Sequence, residues 1–161
     1  MLQSIIVYTS LSTFMILCGI VAANREQYKG TTFKLSFFHL ETLLPLFAFA
    51  VIFGCRYNVG VDYPAYLEGY LYGSDREFEV LFSLVTNGMS DLGIHYALYF
   101  FLWAFIEVFL LFYTFRKQRF LFPYIAFFLI FGSYYLSMMN IIRQQLAACI
   151  FLFSLQYIEN V

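Results

Sequence analysis

Along this chain the apolar positions do not alternate at the short period of a half-buried strand or surface helix. They gather into continuous runs of about 20 residues separated by polar breaks, the length that one helix needs to cross a bilayer. The first run covers about residues 4–23. The second covers about 37–53 and carries His39, Glu41 and Pro45 in its first half, where polar groups stay near headgroups and proline is better tolerated. Three more cover about 96–115, 121–136 and 141–158. The pattern predicts an all-α, polytopic transmembrane helix bundle of about five spans, forming a single transmembrane domain over residues 1–161. Val21-Ala22-Ala23 gives the first run small residues near its end, as in a signal peptide, but no basic stretch precedes it and it is long enough to span. It reads as a retained first helix.

Between the second and third runs lies one long loop, 55–95, with Tyr57, Tyr63, Tyr66, Tyr70 and Tyr72 close together. Tyr63, Tyr66 and Tyr70 share a helical face by their three- and four-residue spacing, and a second short helix is expected at Glu79–Met89, with Leu81, Leu84, Val85 and Gly88 as its apolar stripe. Such short helices suit the membrane interface. The tyrosines read either as an interfacial aromatic belt or as a platform on which sugars stack.

Composition supports the membrane reading and removes others. Of the 161 residues 62% are hydrophobic and 12% charged, against about 45–50% and about 25% in a soluble domain. Spans of this length use about 100 residues and leave about 60 for loops, so there is no room for a separate α/β enzyme domain. A net charge of −1 without a long Lys/Arg block gives no electrostatic case for nucleic acid. Cys18, Cys55 and Cys149 are widely spaced and fit packing roles better than a disulfide framework or zinc site.

Charge also gives an orientation. Arg25, Lys29 and Lys34 lie in the first loop and Arg116, Lys117 and Arg119 in the third, whereas the 55–95 loop has Arg56 and Arg76 against Asp62, Glu68, Asp75, Glu77, Glu79 and Asp91. The short fourth loop has Arg143 as its basic residue. The positive-inside rule then places the amino terminus outside and puts Arg56 and Arg143 on the external face.

Polar groups in the runs need reasons. Glu107 near the middle of the third run costs about 2.5–3.5 kcal/mol, which its apolar neighbours offset at about 0.3–0.6 kcal/mol each. It is expected to face the bundle interior or a wet cavity, protonated or paired, either at a site or in an interhelical hydrogen bond. Asn140, Arg143, Gln144 and Ala147 fall on one helical stripe at the start of the fifth run. That stripe suits a ligand or polar network, the alternative being an arginine that snorkels to headgroups. Just after the second run comes Arg56-Tyr57-Asn58-Val59-Gly60-Val61-Asp62-Tyr63. The Arg56 guanidinium suits bidentate contact with phosphate, Gly60 permits an unusual backbone, and Asp62 orients Arg56, acts as a base or caps a helix begun at Tyr63-Pro64. Two arginines on one face suit a pyrophosphate. Asp75-Arg76-Glu77 has acid-x-acid spacing that fits either a solvated loop or a weak Mg²⁺ or Mn²⁺ site.

The chain resembles the EpsG-like branch of the Wzy-type O-antigen and exopolysaccharide polymerases. The resemblance rests on Arg56-Tyr57-Asn58-x-Gly60-x-Asp62-Tyr63-x-x-Tyr66, Glu79-x-x-Phe82-x-Leu84 and Asn140-x-x-Arg143-Gln144-x-Leu146-Ala147. It implies a membrane-embedded glycosyltransferase of the bacterial plasma membrane. Such an enzyme moves a glycan from undecaprenyl pyrophosphate to a lipid-linked repeat unit at the outer face. The alternatives are a ligase-like glycan transferase and a non-catalytic membrane protein or transporter fragment. Implied partners are the bilayer, the undecaprenyl-pyrophosphate-linked oligosaccharide and other polysaccharide-assembly membrane proteins, with no nucleic acid and no required cofactor. Arg56 and Arg143 then meet the pyrophosphate, Asp62 or Glu79 is the base, and Tyr63, Tyr66 and Gln144 position sugar, with Asn140 and Glu107 completing the substrate-binding set. Members of the family are about twice as long, so the chain is expected to correspond to an amino-terminal portion.

Overall fold

The computed structural model describes residues 2–29, 37–73 and 80–158. Among the described residues the chain is all-helical: α1 (Leu2–Lys29), α2 (Leu40–Gly54), α3 (Tyr63–Tyr72), α4 (Val80–Asp91), α5 (Tyr96–Thr114), a 3-10 turn (Arg119–Leu121), α6 (Phe122–Phe131), α7 (Tyr134–Asn140) and α8 (Ile142–Ile158). Local chemistry sets several of the boundaries. The His95 ring accepts from the Ala97 N–H at 3.2 Å and caps α5. Pro64 and Pro123 stand in the first turns of α3 and α6, where a missing N–H costs nothing.

The long helices pack as α1 against α2 and α6, α2 against α5, and α5 against α8. Two glycines let backbones close in. A Cβ on Gly54 would stand 2.6 Å from the Phe101 Cβ, and one on Gly19 would stand 2.8 Å from the Pro123 nitrogen. One core, with Met15, Leu46, Phe49, Phe53, Val108 and Phe122, joins these helices. A second, with Tyr63, Tyr70, Phe82, Tyr99, Phe100 and Trp103, binds α3 and α4 to the start of α5. The Tyr70 hydroxyl donates to the Ile94 carbonyl at 2.6 Å, and Ser90 donates to the Tyr70 carbonyl at 2.8 Å. The two short helices are thereby held as a cap on α5.

Three expectations change. Ser4–Arg25 and Tyr96–Thr114 are long and apolar enough to cross a bilayer, but the run expected at 121–136 is broken: Arg119–Phe131 and Tyr134–Asn140 meet at 65°. Ser133, with φ of 60°, leaves the right-handed region at the break. That pair makes a third span if it acts as one. The 37–53 and 141–158 runs form helices of 15 and 17 residues, about 22 and 25 Å long against a hydrocarbon core of about 30 Å.

In α4 the buried side is Phe82 and Thr86, with Val85 and Met89 against the second core, whereas Leu81 and Leu84 of the predicted stripe are exposed and Gly88 has no neighbour within 4 Å. The aromatic surface offered by Tyr70, Tyr99 and Trp103 selects the Phe82 face over the Leu81 face. Finally, Arg119, expected in an open loop, is buried where the 3-10 turn packs on α1.

Charged and polar contacts divide the bundle into two ends. At one, Arg25 pairs with Glu41 at 2.5 Å, and Arg116 donates to Gln156 at 2.6 Å while lying over the Tyr113 ring. At the other lie Arg56 and the junction of α7 with α8.

Candidate functional site

Arg56 follows α2 by two residues and is half-buried against the second core. Its Nη2 donates to the Met139 carbonyl at 2.9 Å. Its guanidinium carbon lies 5.2 Å from the Phe100 ring centre and 5.7 Å from that of Tyr63, and those two rings stack at 4.7 Å. The arginine is thus held by a carbonyl and two π faces, which fix a cation without neutralising it. Burial pulls its pKa down to about 10, and the charges of Glu107, Tyr63 and Tyr8 act the other way. Arg56 remains a cation at neutral pH.

The loop after Arg56 is tied to the same junction. The Val61 N–H donates to the Asn140 side-chain oxygen at 2.8 Å. Gly60, at φ of +107°, lets that oxygen approach, since a Cβ there would stand 2.6 Å from it. Asn58 is also left-handed, with φ of 53°. Asp62 follows at the N-cap of α3 but makes no capping hydrogen bond through its carboxylate, which stays half-buried beside the loop.

Two motifs some 80 residues apart in sequence therefore meet, their joining bonds spanning separations of 83 and 79 positions. Arg143 and Gln144 stand in the first turn of α8, Arg143 half-buried and Gln144 exposed. Asn140 does not continue their stripe. It ends α7, and Ile141, at φ −113° and ψ 53°, breaks the helix between them. The stripe is reduced to Arg143, Gln144 and Ala147. The break is what frees the Met139 carbonyl and Asn140 side chain to receive the Arg56 loop.

The tyrosine cluster also divides. Tyr63 and Tyr70 are buried and Tyr66 packs against Phe82 at 6.1 Å, so the shared face predicted for them is turned into the protein. Burial raises the pKa of Tyr63 and of Tyr70. Tyr57 and Tyr72 are exposed and stand along a cleft of about 420 Å³. Glu107 is 1% exposed and faces the interior as expected, with its Oε1 lacking a hydrogen-bond partner. Glu79, Asp75, Arg76, Glu77 and Lys34 lie outside the described residues. Among the described residues no group of three His, Cys, Asp or Glu side chains gathers as metal ligands would.

Phe100 and the Met139 carbonyl were missed by sequence reasoning. Neither has a signal in spacing, because an apolar ring in a span and a main-chain oxygen look ordinary until the chain folds. Tyr8, on α1, is a third such residue: it faces Arg56 electrostatically from the far end of the sequence.

The sequence pattern of the EpsG family matches residues 39–161, which include every motif just described. No curated protein matches the chain. No solved structure matches it either.

Proposed function

This chain belongs to the EpsG family, whose known kind is the Wzy-type polymerase, and from that membership we propose that it acts in polysaccharide polymerisation at a membrane. The substrate is a glycan on undecaprenyl pyrophosphate, and the acceptor is a second lipid-linked repeat unit at the outer face of the bacterial plasma membrane. The observation that carries this reading is the junction itself. The arginine motif after α2 and the Asn140-x-x-Arg143-Gln144 motif are joined by hydrogen bonds of 2.9 and 2.8 Å, so both arginines stand at one end of the bundle. The positive-inside rule assigns that end to the exterior.

The chemistry asks little else of the protein. A hydroxyl oxygen of the acceptor sugar bonds to the anomeric carbon of the donor, and the bond from that carbon to the pyrophosphate oxygen breaks. The electron pair leaves with undecaprenyl pyrophosphate, and the hydroxyl proton passes to a carboxylate. Arg56 and Arg143 meet the charge growing on the leaving group, aided by the first turn of α8, whose N–H groups favour anions. Asp62, at the N-cap of α3 in the loop after Arg56, is one candidate for the base that takes the proton, and Glu79 is the other. Tyr63, Tyr66, Asn140, Gln144 and Glu107 shape the surroundings, Asn140 by holding the loop and Glu107 from its buried place on α5.

The test uses membranes containing the full chain and a lipid-linked repeat unit. The wild type yields a ladder of repeats. Arg143→Lys keeps the charge, loses the planar fork, and should reduce polymer by on the order of a hundredfold with the protein still in the membrane. Polymer of wild-type length and amount from that variant overturns the assignment, and a single transfer without a ladder identifies a ligase instead.

A further inference from the structure

We propose that the cleft along the exposed side of α3 is a glycan-binding groove, in which the oligosaccharide of a lipid-linked substrate lies between Tyr57 and Tyr72 and is fixed by Glu68 and Asn58. The proposal rests on the glycan-transfer reading above and gives the sugar a place within it.

The cleft holds about 420 Å³, within the range of about 300–1,000 Å³ usual for ligand sites. It follows one face of α3, because Pro64, Leu67, Glu68 and Leu71 recur at three- and four-residue spacing with Tyr63 and Tyr72 at the edges of that face, and Tyr63 and Tyr72 are about 14 Å apart along the helix. Its side chains suit a chain of sugar rings. Tyr57 is 71% exposed and Tyr72 is 83% exposed, in contrast to the buried Tyr63 and Tyr70 of the same segment. Large aromatic faces left in solvent cost free energy unless something covers them, and the C–H face of a pyranose covers a tyrosine ring while its hydroxyls stay outward.

Those hydroxyls need partners. The Glu68 carboxylate accepts from two neighbouring hydroxyls at once, and the Asn58 amide both donates and accepts. Asn58 has a φ of 53°, in the left-handed region that asparagine enters more readily than most residues with a side chain. With Glu68 acidic and no cation among the described lining residues, the cleft favours a neutral or hydroxyl-rich ligand over a phosphate headgroup.

Tyr63 connects the two sites. One side of it lines the cleft, and its ring lies 5.7 Å from the Arg56 guanidinium carbon. A glycan in the cleft therefore lies on the same side of α3 as the loop that carries Arg56, the arginine proposed to meet its phosphate.

The test uses the full chain in lipid nanodiscs and, as probe, oligosaccharides of two to six sugars released by mild acid from the polysaccharide that the same cells secrete. Saturation-transfer NMR reads binding, and the membrane assay with varied donor and acceptor reads KM. The Tyr57→Ala/Tyr72→Ala variant and the Glu68→Gln variant change exposed side chains, and each should weaken binding by on the order of tenfold or more. KM should rise for one substrate with kcat little changed, and whichever KM moves identifies the donor or the acceptor as occupant. No binding by the wild type, or equal binding by the variants, overturns the groove even where a ladder forms. Weakened binding in the variants, with no ladder from the wild type, upholds the groove and removes the polymerase reading instead.

Discussion

The side-chain oxygen of Asn140 receives the backbone N–H of Val61 at 2.8 Å, and so the last residue of α7 holds the loop that follows Arg56. Removing it with Asn140→Ala leaves that N–H to water and should cost about 0.5–1.5 kcal/mol. Asn140→Asp keeps the acceptor and should cost less. Thermal unfolding of the detergent-solubilised protein measures both, and an alanine variant at least as stable as the aspartate variant would contradict the role.

This relationship also marks the boundary of what the sequence discloses. Helices at the apolar runs were legible, since burial in lipid demands long apolar stretches, and so was the inward face of Glu107, since a lone acid in such a run has to avoid lipid. The pairing of Asn140 with Val61 was not legible. Periodicity placed Asn140 on the stripe of Arg143, because one residue leaving helical geometry at Ile141 has no signature in an apolar pattern. The inward turn of Tyr63 and Tyr70 was hidden for a related reason. Their spacing defines a face, but only the packed rings of Phe100 and Tyr99 decide which way it points.

Gly54 should tolerate no side chain. A Cβ there meets Phe101 at 2.6 Å from its Cβ and 2.7 Å from its Cα, so Gly54→Ala has to separate α2 from α5 and should cost about 1–3 kcal/mol. A Cβ on Gly88, within α4, would meet nothing within 4 Å beyond its own helix, and there alanine should be neutral or stabilising by up to about 1 kcal/mol. Unfolding midpoints of the two variants should move apart. Equal shifts would mean that the α2–α5 contact is not tight.

Ser133 supplies a second stability test. It holds φ of 60° between α6 and α7, where a residue other than glycine is strained by on the order of 1 kcal/mol. Ser133→Gly should raise the unfolding midpoint and Ser133→Val should lower it. A straight helix through this position would reverse that order, because valine would then be the better residue.

Arg56 should show function opposed to stability. Burial lowers its pKa from the usual guanidinium range to about 10, so below pH 10 the native state carries a charge it disfavours relative to the unfolded chain. From about pH 10 up to the ordinary guanidinium range the unfolded state binds more protons, and this group's contribution to stability rises with pH across that window. At neutral pH Arg56→Met removes the penalty and loses one hydrogen bond to Met139, so its unfolding midpoint should equal or exceed that of the wild type while glycan transfer is lost. The wild type should show no change in transfer due to this group between about pH 6 and 9, because the guanidinium stays charged throughout. A variant that is both strongly destabilised and active would refute both halves.

Glu107 and Arg56 should prove energetically coupled. Glu107 is 1% exposed in the middle of α5, and of the groups that act electrostatically on Arg56 it is the one whose ionised form would favour the cation most. Glu107→Gln preserves shape and removes that support, so transfer should fall in an otherwise wild-type chain. In an Arg56→Met background there is no cation left to support, and the same substitution should change stability less or in the opposite direction. A double-mutant cycle on unfolding free energy isolates the difference, expected at about 0.5–3 kcal/mol for residues in one network. A coupling energy of zero, with transfer still reduced by Glu107→Gln alone, would assign Glu107 a direct part in binding substrate. The expected coupling instead assigns the mid-span acid to the surroundings of the arginine, in a helix where leucine would insert at lower cost.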